Sequence, residues 1–403
     1  MHICMLAYTH YEFDNRIRQY AETLVRRGDR VDVIALRGES GPKVEIINNV
    51  RVFKIQTRAR NETGKFSYLF RLIRFFWRSM FFLAIKDMQD HYDLVHVHSV
   101  PDFEVLAAWF PKARRAKLIL DIHDLLPEFY ASKFHAKPDS RAVRLLLLVE
   151  RISARFADHV IAANDIWRDR LLARSVKDAK CTAILNYPDG SIFCRHGRTR
   201  TDGKFIIVYP GTLNHHQGVD LAIRALARIK DQVPQAELHI YARGKETDNL
   251  SKLAGELGLA ERVRFNHWVG TTEVVPIIEN ADLGVVPKRT DGFGNEAFST
   301  KVLEFMALGV PVVVSDSAVD RYYFTDRVVT FFKGNDEVDL ADRLLEMIRN
   351  TAKREAQVKR ADDFIRTFDW DRRKSEYLGL VDTLVQSAKA GASIKGDFPS
   401  LRG

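Results

Sequence analysis

Cysteine is scarce in this sequence: its 403 residues contain three, Cys4, Cys181 and Cys194, and no C-x-x-C pair. Three scattered thiols are too few for a disulfide framework, which excludes the small disulfide-stabilised class and favours a reducing cytosol. The opening MHICMLA lacks the basic segment and cleavage site of a signal peptide. We therefore expect it to form a first buried strand.

Several functional signatures are missing as well. No glycine fingerprint of dinucleotide binding follows the first apolar segment, and no Ser-His-Asp arrangement can be argued from spacing. Zinc-finger spacing and RNA-binding aromatic motifs are absent although the net charge is +9. The positive charge therefore predicts an anionic partner other than nucleic acid, either a phospholipid surface or a phosphorylated ligand.

The candidate metal ligands are also poor. We expect His96 and His98, in the strand-like HVHS, to point to opposite faces and so to make a poor metal pair. His215 and His216 lie in a predicted loop, and Asp369 of the DWD triplet precedes a predicted helix, where it is better explained as an N-cap. The sequence therefore predicts no metal site.

Residues 65–88 combine many Phe, Leu and Ile with Arg71, Arg74 and Arg78 at helical spacing. Each arginine costs about 2.5–3.5 kcal/mol at a bilayer centre, so a spanning helix is not expected. Two interpretations stay open. One is an interfacial helix with its arginines at lipid headgroups and Trp77 beneath them, and the other is a core helix with one basic solvated face.

Short β-branched segments alternate with amphipathic stretches along the chain. The predicted buried strands are 3–7, 31–36, 94–98, 118–122, 159–163, 205–209, 237–242, 262–265, 283–286 and 311–314. In the second half the predicted helices are 218–230, 248–257, 272–280 and 299–308. This alternation predicts an α/β fold of two Rossmann-like units, each a parallel sheet with helices on its faces.

A polar stretch without periodicity, residues 189–204, separates the two series. We predict a first domain over 1–195, a second over 204–365, and a final helix and tail over 366–403. Ligands of open α/β sheets bind where strand-to-helix loops converge, so we expect the site in a cleft that the two domains face.

Glu304 stands in the otherwise apolar sequence VLEFMAL. An unpaired buried carboxylate is expensive, so it needs a partner or a ligand hydroxyl. A pair with Lys301 or plain solvent exposure also explains it. The preceding Gly-containing loop runs into a helix start near Ser299 and Thr300, whose free N–H groups suit a diphosphate. Lys288 and Lys301 add positive charge nearby.

The spacing Glu296-x7-Glu304, followed by FMALGVPVVVSD, resembles the E-x7-E signature of family-4 retaining glycosyltransferases of the GT-B fold. The resemblance covers nearly the whole chain in the family's order. It extends over RQYAETLVRRGDRVDVIAL, YDLVHVHS, LILDIHDLLPE, YPGTLNHHQGVDLAIRAL, ELHIYARGKETDNLSKLAGELGLAERVRFNHWV, ENADLGVVP and the segment around Trp370. That last segment resembles the helix that crosses back to the first domain.

The resemblance implies roles by position. Glu304 binds the ribose hydroxyls of a nucleotide sugar, and Glu296 contacts hydroxyls of the transferred sugar. The backbone of Phe298–Thr300 lies close to sugar and phosphate. His123, in DIHD, matches the histidine that touches the donor sugar near its reacting carbon. On the residues alone, a histidine after a strand is more often structural.

The sequence departs from the family at two phosphate contacts. Many members carry arginine after the glycine that matches Gly211 and lysine before the one that matches Gly218. Here these positions are Thr212 and Gln217, which can form only neutral hydrogen bonds, about half as strong as charge-assisted ones. The candidates that replace the missing charge are Arg243, Lys288 and Lys301.

The resemblance implies a metal-independent, retaining hexosyltransferase without a cofactor. The expected substrates are a nucleotide diphosphate sugar and a saccharide or polyprenyl-diphosphate-linked acceptor. For the acceptor and membrane side we select Arg71, Arg74, Arg78, Trp77 and Glu128. We expect a cytoplasmic protein, peripheral on the inner face of the cell membrane. Thr212 and Gln217 keep an alternative open, a catalytically silent GT-B partner in a polysaccharide assembly complex.

Overall fold

The computed structural model describes residues 1–57 and 65–390, so residues 391–403 of the predicted tail lie outside the described residues. The chain forms two compact units. Unit 1 comprises Met1–Asn186 and the chain from Lys374, and unit 2 comprises Tyr187–Arg373. The predicted linker 189–204 belongs to unit 2 because its arginines bond there. Arg195 Nε donates to Ala307 O at 3.0 Å, for example.

Unit 1 contains an eight-stranded sheet of order β3-β4-β2-β1-β5-β6-β7-β8. All neighbours are parallel except the β3–β4 hairpin. Its strands are β1 (His2–Ala7), β2 (Arg30–Arg37), β3 (Val44–Ile47), β4 (Val50–Thr57), β5 (Leu94–His98), β6 (Lys117–Ile122), β7 (His159–Ala162) and β8 (Cys181–Ala183). Its first helices are α1 (Asn15–Arg27), α2 (Lys65–Gln89), α3 (Trp109–Ala113), α4 (Leu126–Phe134), α5 (Arg141–Phe156) and α6 (Asp165–Arg174).

Unit 2 contains a six-stranded parallel sheet of order β11-β10-β9-β12-β13-β14. Its strands are β9 (Phe205–Thr212), β10 (Ala236–Arg243), β11 (Val263–Asn266), β12 (Leu283–Val286), β13 (Val312–Ser315) and β14 (Thr330–Phe332). Its helices are α7 (Val219–Ile229), α8 (Thr247–Glu256), α9 (Thr271–Glu279), α10 (Thr300–Ala307), α11 (Ala318–Tyr323), α12 (Glu337–Arg349) and α13 (Thr351–Ile365).

The last helix, α14 (Trp370–Ala390), begins in unit 2 and continues in unit 1 from Lys374. In unit 1 the Tyr377 hydroxyl lies 2.9 Å from His96 Nδ1, and Arg27 Nη1 donates to Asp382 at 2.8 Å. The predicted return of the final helix to the first domain is therefore confirmed.

Each sheet has a point where the strand order reverses. In unit 2 the reversal falls between β9 and β12, and in unit 1 it falls between β1 and β5. The loops that follow such a strand pair leave in opposite directions and open a crevice at the carboxyl ends of the strands. The fold thus provides one candidate ligand position at the reversal in each unit.

Candidate active site

Two glycines bring the loop after β9 close to its neighbours. Gly218 begins α7 with a φ of +64°, and a Cβ there would lie 2.0 Å from the Pro287 carbonyl oxygen. Gly211 has a φ of +144°, and its Cβ would lie 2.5 Å from Lys301 Cε. A Cβ at Gly218 would clash with backbone, so this glycine permits the close approach of the β9 and β12 loops, whereas a Cβ at Gly211 would meet the flexible end of the Lys301 side chain.

The two residues that replace the family's basic pair are bonded within this loop. The Tyr209 hydroxyl donates to Thr212 O at 2.8 Å and also contacts Gln217 Oε1 at 3.1 Å. Gln217 Nε2 lies 3.0 Å from His216 Nε2. Burial lowers the pKa of His216 to about 4, so the neutral ring accepts from the amide. Thr212 and Gln217 therefore take part in neutral hydrogen bonds within the protein.

Lys288 is part of the loop's own framework. Its side chain is buried, with Nζ 2.9 Å from Asp320 Oδ2 of α11, and it donates to Ala297 O at 2.6 Å. These bonds tie the beginning of the β12 loop to its end. Because Asp320 compensates its charge, Lys288 is a weaker candidate for the diphosphate cation than the sequence suggested.

Helix α10 carries Glu304 one turn after its first residue. Thr300 Oγ1 donates to Glu304 Oε1 at 3.3 Å. Burial raises the pKa of Glu304, and Lys301 and Thr300 oppose that rise. The hydroxyl of Ser299, the N-cap residue, is buried without a hydrogen-bond partner among the described residues. The first turns of α10 therefore carry both a carboxyl group and a hydroxyl without a hydrogen-bond partner among the described residues.

Lys301 projects from α10 toward the carboxyl end of β9. Its Cε lies against the Gly211 backbone, and its Nζ is 5.6 Å from the centre of the Tyr209 ring. Burial lowers the pKa of Lys301, and Glu304 counteracts this. Among the three candidate cations, Lys301 is the one that lies beside Gly211, the glycine that an arginine follows in many family members.

The other predicted donor-side residues of unit 2 are Glu296, Phe298 and Arg243. Glu296 is half-buried directly after a 3₁₀ turn, Gly292–Asn295, and Phe298 packs edge-on against Tyr323 with ring centres 5.1 Å apart. Arg243 is exposed at the end of β10, paired in register with Thr212, and its guanidinium lies 4.2 Å from the Trp268 ring centre.

In unit 1 the predicted histidine belongs to a buried polar cluster. His123 follows β6, and its Nε2 is 3.3 Å from Asp121 Oδ2. Arg16 grips the same carboxylate with two bonds of 2.8 and 2.9 Å. Burial would raise the pKa of Asp121, but Arg16 and His123 hold it well below its usual range. Burial would lower the pKa of His123, but Asp121 raises it overall.

His96 and His98 join this cluster, which corrects a sequence-based expectation. They do not face opposite sides of β5: their rings stack with centres 4.2 Å apart. The expectation was wrong because residues two apart on a strand share a face. Their ring nitrogens and the Asp121 carboxylate come within 4.8 Å of one another. Because Arg16 already occupies both carboxylate oxygens, we interpret the group as a hydrogen-bonded cluster.

Two family models match consecutive parts of the chain. The model "Glycosyl transferase 4-like domain" matches residues 14–186, within unit 1. The model "Glycosyl transferases group 1" matches residues 195–364, within unit 2. Sucrose-phosphate synthase from Thermosynechococcus elongatus superposes with a TM-score of 0.79 at 18% identity, covering 96% of this chain and 100% of that chain. The chain belongs to the family-4 glycosyltransferases of the GT-B fold.

Two curated relatives of this family-4 glycosyltransferase have a higher sequence identity over the residues that they match. A phosphatidyl-myo-inositol mannosyltransferase of Mycobacterium leprae is 30% identical over 172 residues, 42% of this chain and 44% of that relative. A D-inositol 3-phosphate glycosyltransferase of Actinosynnema mirum is 25% identical over 383 residues, 89% of this chain and 89% of that relative. The similarity to the first relative thus spans less than half of its length.

Helix α2 of the glycosyltransferase has an exposed face that is largely apolar. Trp77 is 50% exposed and Phe81 is 61% exposed, and Arg74 and Arg78 lie on the same face. A groove of about 1150 Å³ separates this face from β3 and β4, and its lining includes Arg37, Phe53, Phe70, Arg74, Trp77 and Phe81. Within residues 1–57 and 65–390, no helix is both long and apolar enough to cross a bilayer.

The other predicted acceptor-side residues are bonded internally. Glu128 of α4 bonds Arg174 through both carboxylate oxygens, at 2.5 and 3.0 Å, and Arg174 also pairs with buried Glu150. The Arg71 carbonyl accepts from Gln56 at 3.1 Å, and the Arg71 side chain is half-buried. Glu128 therefore joins α4 to α6, and Arg174 extends the link to α5, a structural role that the acceptor prediction did not include.

Sequence reasoning missed the partners of His123. Asp121 stands two residues before it, a spacing that places two side chains on one side of an extended backbone, so the DIHD sequence already contains this signal. Arg16 and Tyr377 had no such signal, because they reach the cluster from α1 and α14, far away in the chain. Tertiary contacts of this kind cannot be found from spacing.

Proposed function

We propose that the protein transfers a hexose or N-acetylhexosamine from a nucleotide diphosphate sugar to a saccharide or lipid-linked acceptor, with retention and without a metal ion. The observation that carries this proposal is that the first turns of α10 hold Glu304, the unpartnered Ser299 hydroxyl and Lys301, whose side chain lies beside Gly211 of β9 at the strand-order reversal of unit 2. This is where open α/β sheets bind nucleotides.

Lys301 supplies the positive charge that Thr212 and Gln217 lack. Its ammonium group lies beside the Gly211 backbone, so a diphosphate held there receives a charge-assisted bond. Stabilisation of the departing diphosphate by Lys301 and the backbone N–H groups at the start of α10 is the main catalytic contribution. Glu296 and His123 orient the sugar without forming a covalent bond to it.

The acceptor side uses the exposed face of α2. Trp77 and Phe81 insert into the apolar boundary of a bilayer while Arg74 and Arg78 meet anionic headgroups. A polyprenyl-diphosphate-linked saccharide fits this combination of charge and apolar surface. The M. leprae relative is named for a phosphatidyl-myo-inositol acceptor, a lipid. We accordingly infer a cytoplasmic enzyme on the inner face of the membrane.

A donor screen tests the proposal. The protein is incubated with UDP- and GDP-sugars and bacterial membranes, and transferred mass is measured by mass spectrometry. We expect transfer from one donor, and a loss of at least 100-fold in Glu304→Ala. Glu256→Ala, an exposed glutamate 60% accessible on α8, is the matched control and should keep wild-type activity. Equal transfer by Glu304→Ala and wild type would refute the site.

The silent-partner alternative rests on Thr212 and Gln217, whose polar atoms already bond Tyr209 and His216. If that alternative holds, the chain keeps the fold but binds no nucleoside diphosphate. Adding a charge distinguishes the two: Gln217→Lys should tighten diphosphate binding if the site is functional. In a silent protein the same substitution should change nothing.

A further inference from the structure

The strand β5 carries two buried histidines whose polarity the fold itself does not require. His96 and His98 are 0% and 2% exposed in a strand otherwise made of Leu94, Val95 and Val97. Burying an imidazole is unfavourable unless its nitrogens find partners. An apolar side chain would serve the core at lower cost, so these histidines invite a functional explanation.

The contacts of His98 indicate what that function is. Its Nδ1 lies 3.1 Å from His123 Nε2 and 3.4 Å from Asp121 Oδ2, while His123 Nε2 is 3.3 Å from that same oxygen. Three polar atoms therefore form a nearly equilateral triangle. Behind them, Arg16 fixes the carboxylate with two bonds and donates a third to Ile184 O at 2.9 Å.

The His98 ring is itself held in place. It stacks on His96, whose Nδ1 lies 2.9 Å from the Tyr377 hydroxyl of α14. The Tyr20 ring packs on Tyr377 at 4.1 Å between centres. Because each ring is fixed by a neighbour, His98 presents Nδ1 in a single direction, toward His123.

We propose that His98, supported by the Asp121–Arg16 pair, is the positioning residue that holds the His123 ring for the donor sugar. This inference rests on the proposed function, in which His123 contacts that sugar. In the contact between the two rings, one nitrogen must carry a proton and the other must accept it. His123 Nε2–H donates to His98 Nδ1 and Asp121, which leaves His123 Nδ1 to meet a sugar hydroxyl.

The electrostatics agree with this direction of the hydrogen bond. Burial, together with neighbouring His96, lowers the pKa of His98 well below its usual value although Asp121 opposes this shift, so the His98 ring is neutral and one of its nitrogens can accept. Asp121 raises the pKa of His123 despite burial, with Arg16 opposing and Asp14 assisting. The cluster thus favours a proton on His123.

Two polar substitutions of His98 test the proposal. Asn places its amide where Nδ1 stands, and Gln places its amide where Nε2 stands, so both keep a polar group of similar size. With the donor from the screen, His98→Asn should retain kcat within about threefold, whereas His98→Gln should lose about 100-fold in kcat with little change in donor KM. His159→Asn is the control, since His159 is buried on β7 and bonds Thr182 at 2.9 Å outside the cluster.

A second readout does not depend on activity. In nitrogen-15 spectra of histidine-labelled protein, the His123 Nε2 signal should titrate at higher pH in wild type and His98→Asn than in His98→Gln. If the protein transfers no sugar but these signals behave as expected, the proposed function fails and the coupling stands. Equal kcat and equal His123 titration in the Asn and Gln variants would overturn the inference, as would stoichiometric zinc in the purified protein.

Discussion

Two charged side chains of unit 2 have different partners. Glu304 accepts a hydrogen bond from Thr300 and lies near Lys301, and burial raises its pKa. Lys288 pairs instead with the buried Asp320 of α11. A change at Glu304 should therefore alter ligand binding with pH, whereas a change at Lys288 should alter the stability of the unit.

The raised pKa of Glu304 predicts a pH dependence of nucleotide binding. Only the carboxylate accepts two ribose hydroxyls, so binding releases the proton that the unliganded group holds at acidic pH. Because burial raises the pKa, this proton is held to higher pH than on an exposed glutamate. Affinity should be full above the raised pKa and fall about tenfold per pH unit below it.

Calorimetric titrations of a nucleoside diphosphate between pH 4.5 and 8 measure this effect. The Glu304→Gln variant has no carboxyl proton to release, but the phosphate of the ligand still titrates. The difference between the pH profiles of wild type and variant therefore reports the Glu304 carboxyl alone. Parallel pH profiles for wild type and variant would show that Glu304 does not contact the ligand.

Lys288→Ala should destabilise unit 2. It leaves the Asp320 carboxylate buried and unpaired, so we expect the free energy of unfolding to fall by about 3–5 kcal/mol. Urea denaturation measures it. Arg321→Ala breaks an ion pair with Asp326 that is largely exposed, and should cost less than about 1 kcal/mol. Equal losses in the two variants would contradict the structural role assigned to Lys288.

At the scale of elements, periodicity located all ten predicted strands and the four helices predicted for the second half, within a few residues. Strands buried on both faces are apolar throughout, as in β12 and β13, and therefore stand out in sequence. The β3–β4 hairpin was missed, and of its two strands only β3 is largely exposed. Its turn residues, Asn48 and Asn49, have φ of 49° and 63°, a signal that the two asparagines carry.

The approach of the β9 and β12 loops depends on a glycine at the start of α7. Gly218→Ala forces a Cβ into a left-handed conformation, 2.0 Å from Pro287 O, and should lower stability by about 2–4 kcal/mol. Gly255→Ala, in α8 with open space around it, should instead raise stability by about 0.5–1 kcal/mol. Thermal unfolding of both variants measures these changes in stability. If Gly218→Ala were as stable as wild type, the two loops would not need the close contact at this glycine.

The exposed face of α2 predicts binding to anionic vesicles. Replacing Trp77 and Phe81 by serine should reduce co-sedimentation with phosphatidylglycerol vesicles at least tenfold, because both are at least half-exposed. Val338→Ser, a 49% exposed apolar residue of unit 2, is the control and should bind like wild type. Vesicle binding that is unaffected by the double substitution would show that α2 is not the membrane face.

At the scale of the whole molecule, composition and the order of motifs predicted two α/β units and the return of the final helix. The boundary between the units was harder to predict from the sequence. The polar stretch 189–204 is typical of a linker, but its arginines form hydrogen bonds within unit 2. The order of the motifs along the chain also predicted the family. The buried cluster around Asp121 needed the structure, because its members come from α1, β5, β6 and α14.

The central claim is that unit 2 binds a nucleoside diphosphate through Lys301 and Glu304, at the strand-order reversal of its sheet. Isothermal titration calorimetry with UDP, GDP and ADP, on wild type, Lys301→Gln and Lys252→Gln, tests it most directly. We predict micromolar binding of one nucleotide to wild type, a loss of about tenfold or more in Lys301→Gln, and no change for exposed Lys252 on α8. Absence of binding to wild type, or equal affinity in both lysine variants, would contradict the account.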